Sequence, residues 1–187
     1  MKVYLIHGWE GSPDNHWFPW LMLELGKKKI EVEALAMPHS EKPTIEDWVA
    51  HMKEIVKPDK ETILVGHSIG CQTIMRYLES LDDKIKIKAV IFVAGFFNLP
   101  YLKTKEEKII AKPWLETKID TDKVRKKAEK FVAVFSDNDP DVDLSDSKLF
   151  KERLNAEIIV EHEKGHFTNE VGVDTLPVVL NKILALK

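Results

Sequence analysis

The sequence predicts an α/β fold: a single domain, residues 1–187, built on a six-stranded, mostly parallel sheet with helices on both faces. Three observations predict it. Six short segments rich in branched apolar residues alternate along the chain with helical or irregular stretches. One of them, Ile87 to Ala94, is almost continuously apolar, as expected of a strand covered on both faces. No internal repeat or low-complexity linker divides the 187 residues, a length that supports one real core but not two ordinary ones.

Composition narrows the function classes. With 44% hydrophobic and 32% charged residues the chain reads as globular and soluble. A net charge of -3, with Arg76, Arg125 and Arg153 as its only arginines, offers no surplus for a phosphate backbone, so a nucleic-acid partner is not expected. The single cysteine, Cys71, excludes an intrachain disulfide and suits a reducing interior. The N-terminal apolar run is only Val3 to Ile6, too short for a secretory signal or a membrane span. A cytoplasmic protein with no membrane association is the resulting expectation.

Taken in order, Val3 to Ile6 is a strand that ends at the loop His7-Gly8-Trp9-Glu10-Gly11. A helix is expected from Asn15, with Trp17, Trp20, Leu21 and Leu25 on one stripe, Pro19 in the first turn and lysines 27 to 29 at the C-terminus. Glu31 to Met37 is the second strand. Thr44 caps a helix whose apolar face is Ile45, Trp48, Val49 and Met52. Thr62 onward is the third strand, followed by a helix from Gln72; Ile87 to Ala94 is the fourth. Between Phe96 and about Lys127 the composition turns to lysine and glutamate, a lid-like insertion in expectation. Phe131 to Phe135 and Glu157 to Glu161 are the last strands; a helix capped by Ser145 separates them, and another follows Phe167.

The third strand carries the chemistry. Thr62-Ile63-Leu64-Val65 runs into Gly66-His67-Ser68-Ile69-Gly70, a G-x-S-x-G between strand and helix. Such a turn lifts the serine hydroxyl out of the sheet, and the helix N-terminus presents backbone N–H groups to a developing oxyanion. Ser68 is therefore the candidate nucleophile. The N–H of Ile69, together with one from the first loop, best supplied by Trp9, is the candidate oxyanion hole. A serine needs a base to take its proton and that base needs an acid to fix its tautomer. His166 and Asp139 follow the sixth and fifth strands and give the order Ser, Asp, His. His162 is the rival base and Asp137 the rival acid.

These motifs resemble the small serine hydrolases grouped with retinoblastoma-binding protein nine and their bacterial relatives. The similarity is carried by His7-Gly8-Trp9, Trp17-Phe18-Pro19-Trp20-Leu21, Met37-Pro38, Gly66-His67-Ser68-Ile69-Gly70, Pro113-Trp114, Asp139-Pro140 and Gly165-His166-Phe167, and covers nearly the whole chain. The resemblance implies an α/β-hydrolase fold without the N-terminal antiparallel hairpin, with strand order 2-1-3-4-5-6. It further implies a Ser68, His166, Asp139 triad acting on small acyl esters, with no metal and no cofactor. His7, His16, Trp17, Phe96, Phe97 and Trp114 are the expected substrate pocket.

Two rival classes remain open on the sequence. His162-Glu163-Lys164-Gly165-His166 matches the zinc-peptidase pattern H-E-x-x-H, which requires a helix to bring both histidines to one metal. A hydrolase-like binding module with a weak or vestigial triad, and with a protein partner, is the other.

Overall fold

The chain alternates strand and helix because its apolar spacing alternates between near-continuous and helical. The computed structural model describes residues 1–186. Strands β1 (Lys2–Ile6), β2 (Glu31–Leu35), β3 (Thr62–His67), β4 (Ile87–Val93), β5 (Ala128–Ser136) and β6 (Glu157–Glu161) form one sheet in the order β2-β1-β3-β4-β5-β6. Every neighbouring pair is parallel. Helices α1 (Phe18–Lys27), α2 (Ile45–Ile55), α3 (Ile69–Ser80), α4 (Lys105–Glu116), α5 (Thr121–Arg125), α6 (Asp146–Leu154) and α7 (Pro177–Leu184) make the crossovers. No helix among the described residues is long and apolar enough to cross a membrane.

The two sheet faces bury separate cores, as the two-residue period of a strand demands. Tyr4, Ile6, Leu64, Val90, Phe92, Ala133 and Phe135 face Trp48 and Met52 of α2, Ile74 and Met75 of α3, and Phe150 of α6. Val3, Leu5, Ile63, Val65, Ile91, Val132 and Val134 face Phe18, Leu21 and Leu25 of α1 and Val179 and Ile183 of α7. The central strands therefore read as continuous apolar runs.

Element boundaries differ from the sequence expectation where polar groups intervene. Helix α1 starts at Phe18, not Asn15, because His16 has a positive φ of 57° and breaks the helical path; Trp17 is its N-cap and is fully buried. Strand β2 stops at Leu35, and the Met37 N–H donates instead to Nε2 of His7. Thr44 caps α2 as expected, accepting from the Asp47 N–H. Ser145 precedes α6 without a side-chain cap; its own N–H donates to Asp143 Oδ1. The segment after β4 is not irregular: it contains α4, opened by a reciprocal capping box between Thr104 and Glu107, and α5.

Three residues assigned to the substrate pocket lie in the core, Trp17 at the N-cap of α1 among them. Phe96 and Trp114 are each 1% exposed. The Trp114 indole N–H donates to the Pro43 carbonyl, and its ring meets Trp48 edge-on. A lysine-rich stretch hides this, because α4 buries only Ala111 and Trp114. Trp114→Ala removes a fully buried indole, and an expected loss of about 3–5 kcal/mol follows from the usual cost of such truncations. Urea denaturation measures it; a loss under 1 kcal/mol would mean that the ring is not part of the core.

Candidate active site

Ser68 stands between β3 and α3 at φ 52° and ψ -122°, a backbone conformation that strains any L-residue bearing a side chain. The Ser68 N–H donates to the Val93 carbonyl at 2.9 Å, which fixes the turn against β4. The turn closes because the next helical residue is glycine: a Cβ on Gly70 would press into the carbonyl oxygens of Ile6 and His7 at the end of β1. Ile69 opens α3, so its N–H has no helical acceptor. Across from it, Gly8 approaches so closely that a Cβ there would stand 3.2 Å from the Ser68 Cβ. In that loop the Glu10 N–H donates to Ser40 and the Gly11 N–H to Gly8, while the Trp9 N–H meets no protein acceptor among the described residues.

His166 and Asp139 come together from the loops after β6 and β5. Nδ1 of His166 lies 2.9 Å from Oδ2 and 3.0 Å from Oδ1 of Asp139. The carboxylate side chain is 2% exposed and the imidazole 15%. Asp139 Oδ1 also accepts the N–H groups of Asp141 and Val142 at 2.9 and 3.1 Å, so the carboxylate is held before it meets the ring. A carboxylate accepts only, so the proton sits on Nδ1 and Nε2 is left as the basic nitrogen. Asp137 belongs to a different pair, with His162 Nδ1 at 2.6 Å and the Glu163 N–H at 2.8 Å. That pair is solvent-exposed, with the His162 side chain 80% accessible. The accepted N–H and the His162 side chain hold the Asp137 carboxyl below its ordinary range.

The loop that presents His166 is stitched to the loop after β5. Ser136 Oγ accepts the Lys164 N–H, and Asn138 Oδ1 accepts the Gly165 N–H. His67, the residue before Ser68, supplies a further tie: its Nε2 donates to the His166 carbonyl at 2.8 Å. The ring is buried between Gly8 and His166. Burial, and secondarily the nearby His166, push its pKa well below the ordinary value, so it is a neutral strut. The G-x-S-x-G pattern alone gives no sign of this, since the residue before the serine has no fixed role in it.

The zinc-peptidase pattern is not realised. Glu163 and Gly165 take positive φ values of 52° and 50°, the segment is not helical, and each histidine is engaged by a different aspartate. Asp139, Asp141 and His166 bring ligand atoms within 4.8 Å of one another, but Asp139 is already committed to Nδ1 and two amides.

Ser68 and His166 open on one cavity of 260 Å³, walled by Trp9, Leu99, Tyr101 and Leu102, with Glu10, Glu107, Asp141 and Lys103 at its polar positions. Trp9, the expected oxyanion donor, lines it, and none of the predicted pocket residues does. His7 is buried, donating from Nδ1 to the Gly8 carbonyl and accepting at Nε2 from Met37, so it shapes the first loop. His16 packs on Asn169 and Trp17 lies in the core. Phe97 stacks at an angle on Phe150. Leu99, Tyr101 and Leu102 were missed because a polar, lysine-bearing loop gives no periodic signal.

Known proteins resemble this chain in sequence and in fold. The serine hydrolase family profile matches residues 3–185. Hydrolase YdeN of Bacillus subtilis is 33% identical over 180 residues, 95% of this chain and 92% of its own. The crystal structure of the ydeN product superposes with a TM-score of 0.91 at 30% identity, over 99% of this chain and 97% of that one. Serine hydrolase RBBP9 of Rattus norvegicus is 24% identical over 123 residues, 65% of this chain and 61% of the rat protein. At the level of fold alone, Est1E from Butyrivibrio proteoclasticus matches with a TM-score of 0.74 at 16% identity, over 99% and 87% of the two chains.

Two buried neutral histidines give stability a pH dependence. Burial lowers the pKa of His7 from the ordinary 6.5, and that of His67 further. Below about pH 6.5 the unfolded chain binds protons at both rings that the native state refuses. The stability they contribute is therefore complete above that pH and is lost as pH falls toward the native values. The urea midpoint is expected to fall between about pH 7 and 5.5, with His67→Phe lower throughout but less steep. A midpoint flat over that interval would mean that the two rings take up protons as readily in the native state as in the unfolded chain.

Proposed function

Because the chain belongs to the serine hydrolase family, we propose that it is an esterase-like enzyme in which Ser68 attacks, His166 moves the proton and Asp139 orients His166. The observation that carries this reading is the Asp139–His166 pair, bonded through Nδ1, opening on the same cavity as Ser68. In the proposed cycle Nε2 of His166 takes the Ser68 proton as Oγ forms a bond to the acyl carbon. The carbonyl oxygen becomes an anion held by the N–H groups of Ile69 and Trp9. The imidazolium then returns its proton to the departing alcohol as the ester C–O bond breaks, leaving an acyl-serine. Water, deprotonated by His166, releases the acid and restores Ser68. Asp139 stabilises the imidazolium without taking its proton.

The cavity supports small, uncharged substrates. Its 260 Å³ lies below the range of about 300–1,000 Å³ common for drug-sized ligands. Trp9, Leu99, Tyr101 and Leu102 offer apolar contact for a short acyl or alcohol group. Three carboxylates, Glu10, Glu107 and Asp141, outnumber the single ammonium of Lys103 at the polar positions. Glu107 stays ionised because the N–H groups of Thr104 and Lys103 hold its pKa down. An anionic acyl group meets net repulsion there. On this reading the stretch from Leu99 to Glu107, rather than the whole 96–127 insertion, is the part of the lid that meets substrate. The buried thiol of Cys71 fits a reducing, cytoplasmic setting.

Labelling with a fluorophosphonate is the direct test: the native protein labels at Ser68, and Ser68→Ala does not. Failure to label would favour a hydrolase-fold binding protein. Asp139→Asn keeps the shape but favours the wrong tautomer, and a fall in kcat of about 10⁴ is expected; Asp137→Asn falls little. Reversal of those two results would make Asp137 the acid. In an ester series, butyrate is expected to exceed the equally short but anionic monosuccinate in kcat/KM by about tenfold or more, a gap of roughly 1.4 kcal/mol. Equal values would count against a substrate-facing acidic rim.

A further inference from the structure

A second cavity, of 480 Å³, lies between α3, the loop leaving β4, the C-terminal end of α4 and α6. Its walls combine two kinds of residue. Phe97, Trp114, Leu115 and Ile119 are apolar, Lys118 and Arg153 are cationic, and no lining residue carries a carboxylate. The Arg153 guanidinium lies over the Phe97 ring, 4.6 Å from its centroid. One face of the guanidinium is covered in this way, and its N–H edge remains for an acceptor.

The charge beneath the lining has the same sign. Of the chain's three arginines, Arg125 pairs with Asp122, whereas Arg76 and Arg153 form no ion pair among the described residues. Arg76 is 6% exposed. Its Nη2 donates to Gln72 Oε1 and to the carbonyls of Trp114 and Thr117, and all three of these residues line the cavity. Its Nε is buried without a protein acceptor. Its hydrogen-bond acceptors are all neutral and the Glu79 carboxylate offsets its charge only in part: burial outweighs that carboxylate and lowers its pKa from the ordinary value. The neighbouring carboxylates are engaged with other donors. Asp146 accepts the N–H groups of Phe97 and Asn98 and the Asn98 side chain. Asp120 caps α5, and Glu79 accepts the Asp120 N–H.

We propose that this cavity binds a small organic carboxylate with an apolar body, its carboxylate on Arg153 and Lys118 and its body against Phe97, Leu115 and Ile119. The guanidinium edge matches a carboxylate in two parallel hydrogen bonds, and Arg76 adds attraction from behind the wall. The apolar walls give the ligand's remainder a reason to leave water, which a bare inorganic anion lacks. The volume falls within the usual range of about 300–1,000 Å³ for ligand sites. The site is separate from the cavity at Ser68, and the proposal does not depend on the esterase reading.

Calorimetric titration of the full-length protein with sodium benzoate tests it, with benzamide as the uncharged isostere and inorganic phosphate as the anion without an apolar body. One saturable benzoate site is expected at concentrations up to about 10 mM. The double variant Arg153→Ala, Lys118→Ala should bind benzoate about tenfold or more weakly; both side chains are exposed, and an unchanged melting temperature confirms that the variant folds. Benzamide and phosphate should each bind more weakly than benzoate. Protein blocked at Ser68 with a fluorophosphonate, or carrying Ser68→Ala, should bind benzoate unchanged. Absence of saturable binding, equal binding by the double variant, loss of binding in both Ser68-modified forms, or phosphate binding as tight as benzoate would overturn the assignment.

Discussion

The contact on which the rest of the site depends is the approach of the first turn of α3 to the end of β1. It is possible only because residue 70 has no side chain: Gly70 lies against the carbonyl oxygens of Ile6 and His7. Once the helix is seated that closely, the chain between strand and helix has a single residue in which to reverse, and Ser68 takes a positive φ to do it. The strain is offset by the central position of β3, whose six residues are all buried and paired with β1 and β4. The same approach sets Gly8 beside Ser68 and so brings the first loop within reach of the serine. A seat a few ångström wider would separate the proposed oxyanion donors, Trp9 and Ile69, which follow different strands.

The base side of the site is built by a different method. A set of side-chain acceptors holds the turn that presents His166, and Gly165, packed on Val171, takes the positive φ at its last position. Ser136, Asn138 and Asp137 each accept one N–H from the Glu163–Gly165 turn, so three consecutive amides of that turn are satisfied by the loop after β5. His67 then fixes the carbonyl of His166 from the opposite side. The division of labour between the two aspartates follows. Asp137 lies at the strand end, in reach of the turn's amides and of solvent, and ties the loops together. Asp139 lies two residues on, where Pro140 and the amides of Asp141 and Val142 hold its carboxylate in one orientation. A buried carboxylate of fixed direction suits the orientation of an imidazole better than an exposed one.

Much of this was legible in the sequence, and the losses have a common cause. The central strands follow from near-continuous apolar runs, because each is buried on both faces, whereas the order of the sheet was implied by the family resemblance and is the order found. Position at the carboxyl ends of strands points to Ser68 and to two candidate pairs in the same loops; the resemblance favoured His166 with Asp139, and the two are in contact. The pocket was the weaker reading, since it rested on counting large aromatics near the site. Phe96 and Trp114 are aromatic because they fill the space between α4, α2 and α3, which the composition of a charged helix conceals. The true walls, Leu99, Tyr101 and Leu102, lie on a loop, where side-chain direction depends on turns that periodicity does not encode. His7, expected in the pocket, is instead a buried hydrogen-bonding strut, as is His67, because the role of a histidine in a motif is decided by its partners.

The loop leaving β4 joins the two cavities more directly than any other part of the chain. Phe97 and Asn98 face the cationic cavity, and Leu99 and Tyr101 face the cavity at Ser68, so four nearby residues contribute a wall to each. The loop is anchored between them by Asp146, 1% exposed, which accepts three hydrogen bonds from Phe97 and Asn98. Farther along, the Tyr101 hydroxyl donates to Asp143 on the surface. The first anchor is buried and the second exposed, so the Phe97–Asn98 end is the fixed one and the Tyr101 end the more easily displaced. Any movement of this wall is therefore expected to pivot about Asp146 and to change the cavity at Ser68 more than the one beside Arg153. On the proposed reading, acyl-group selectivity is more sensitive to the Tyr101–Asp143 contact than to the packing of α4 on Trp48.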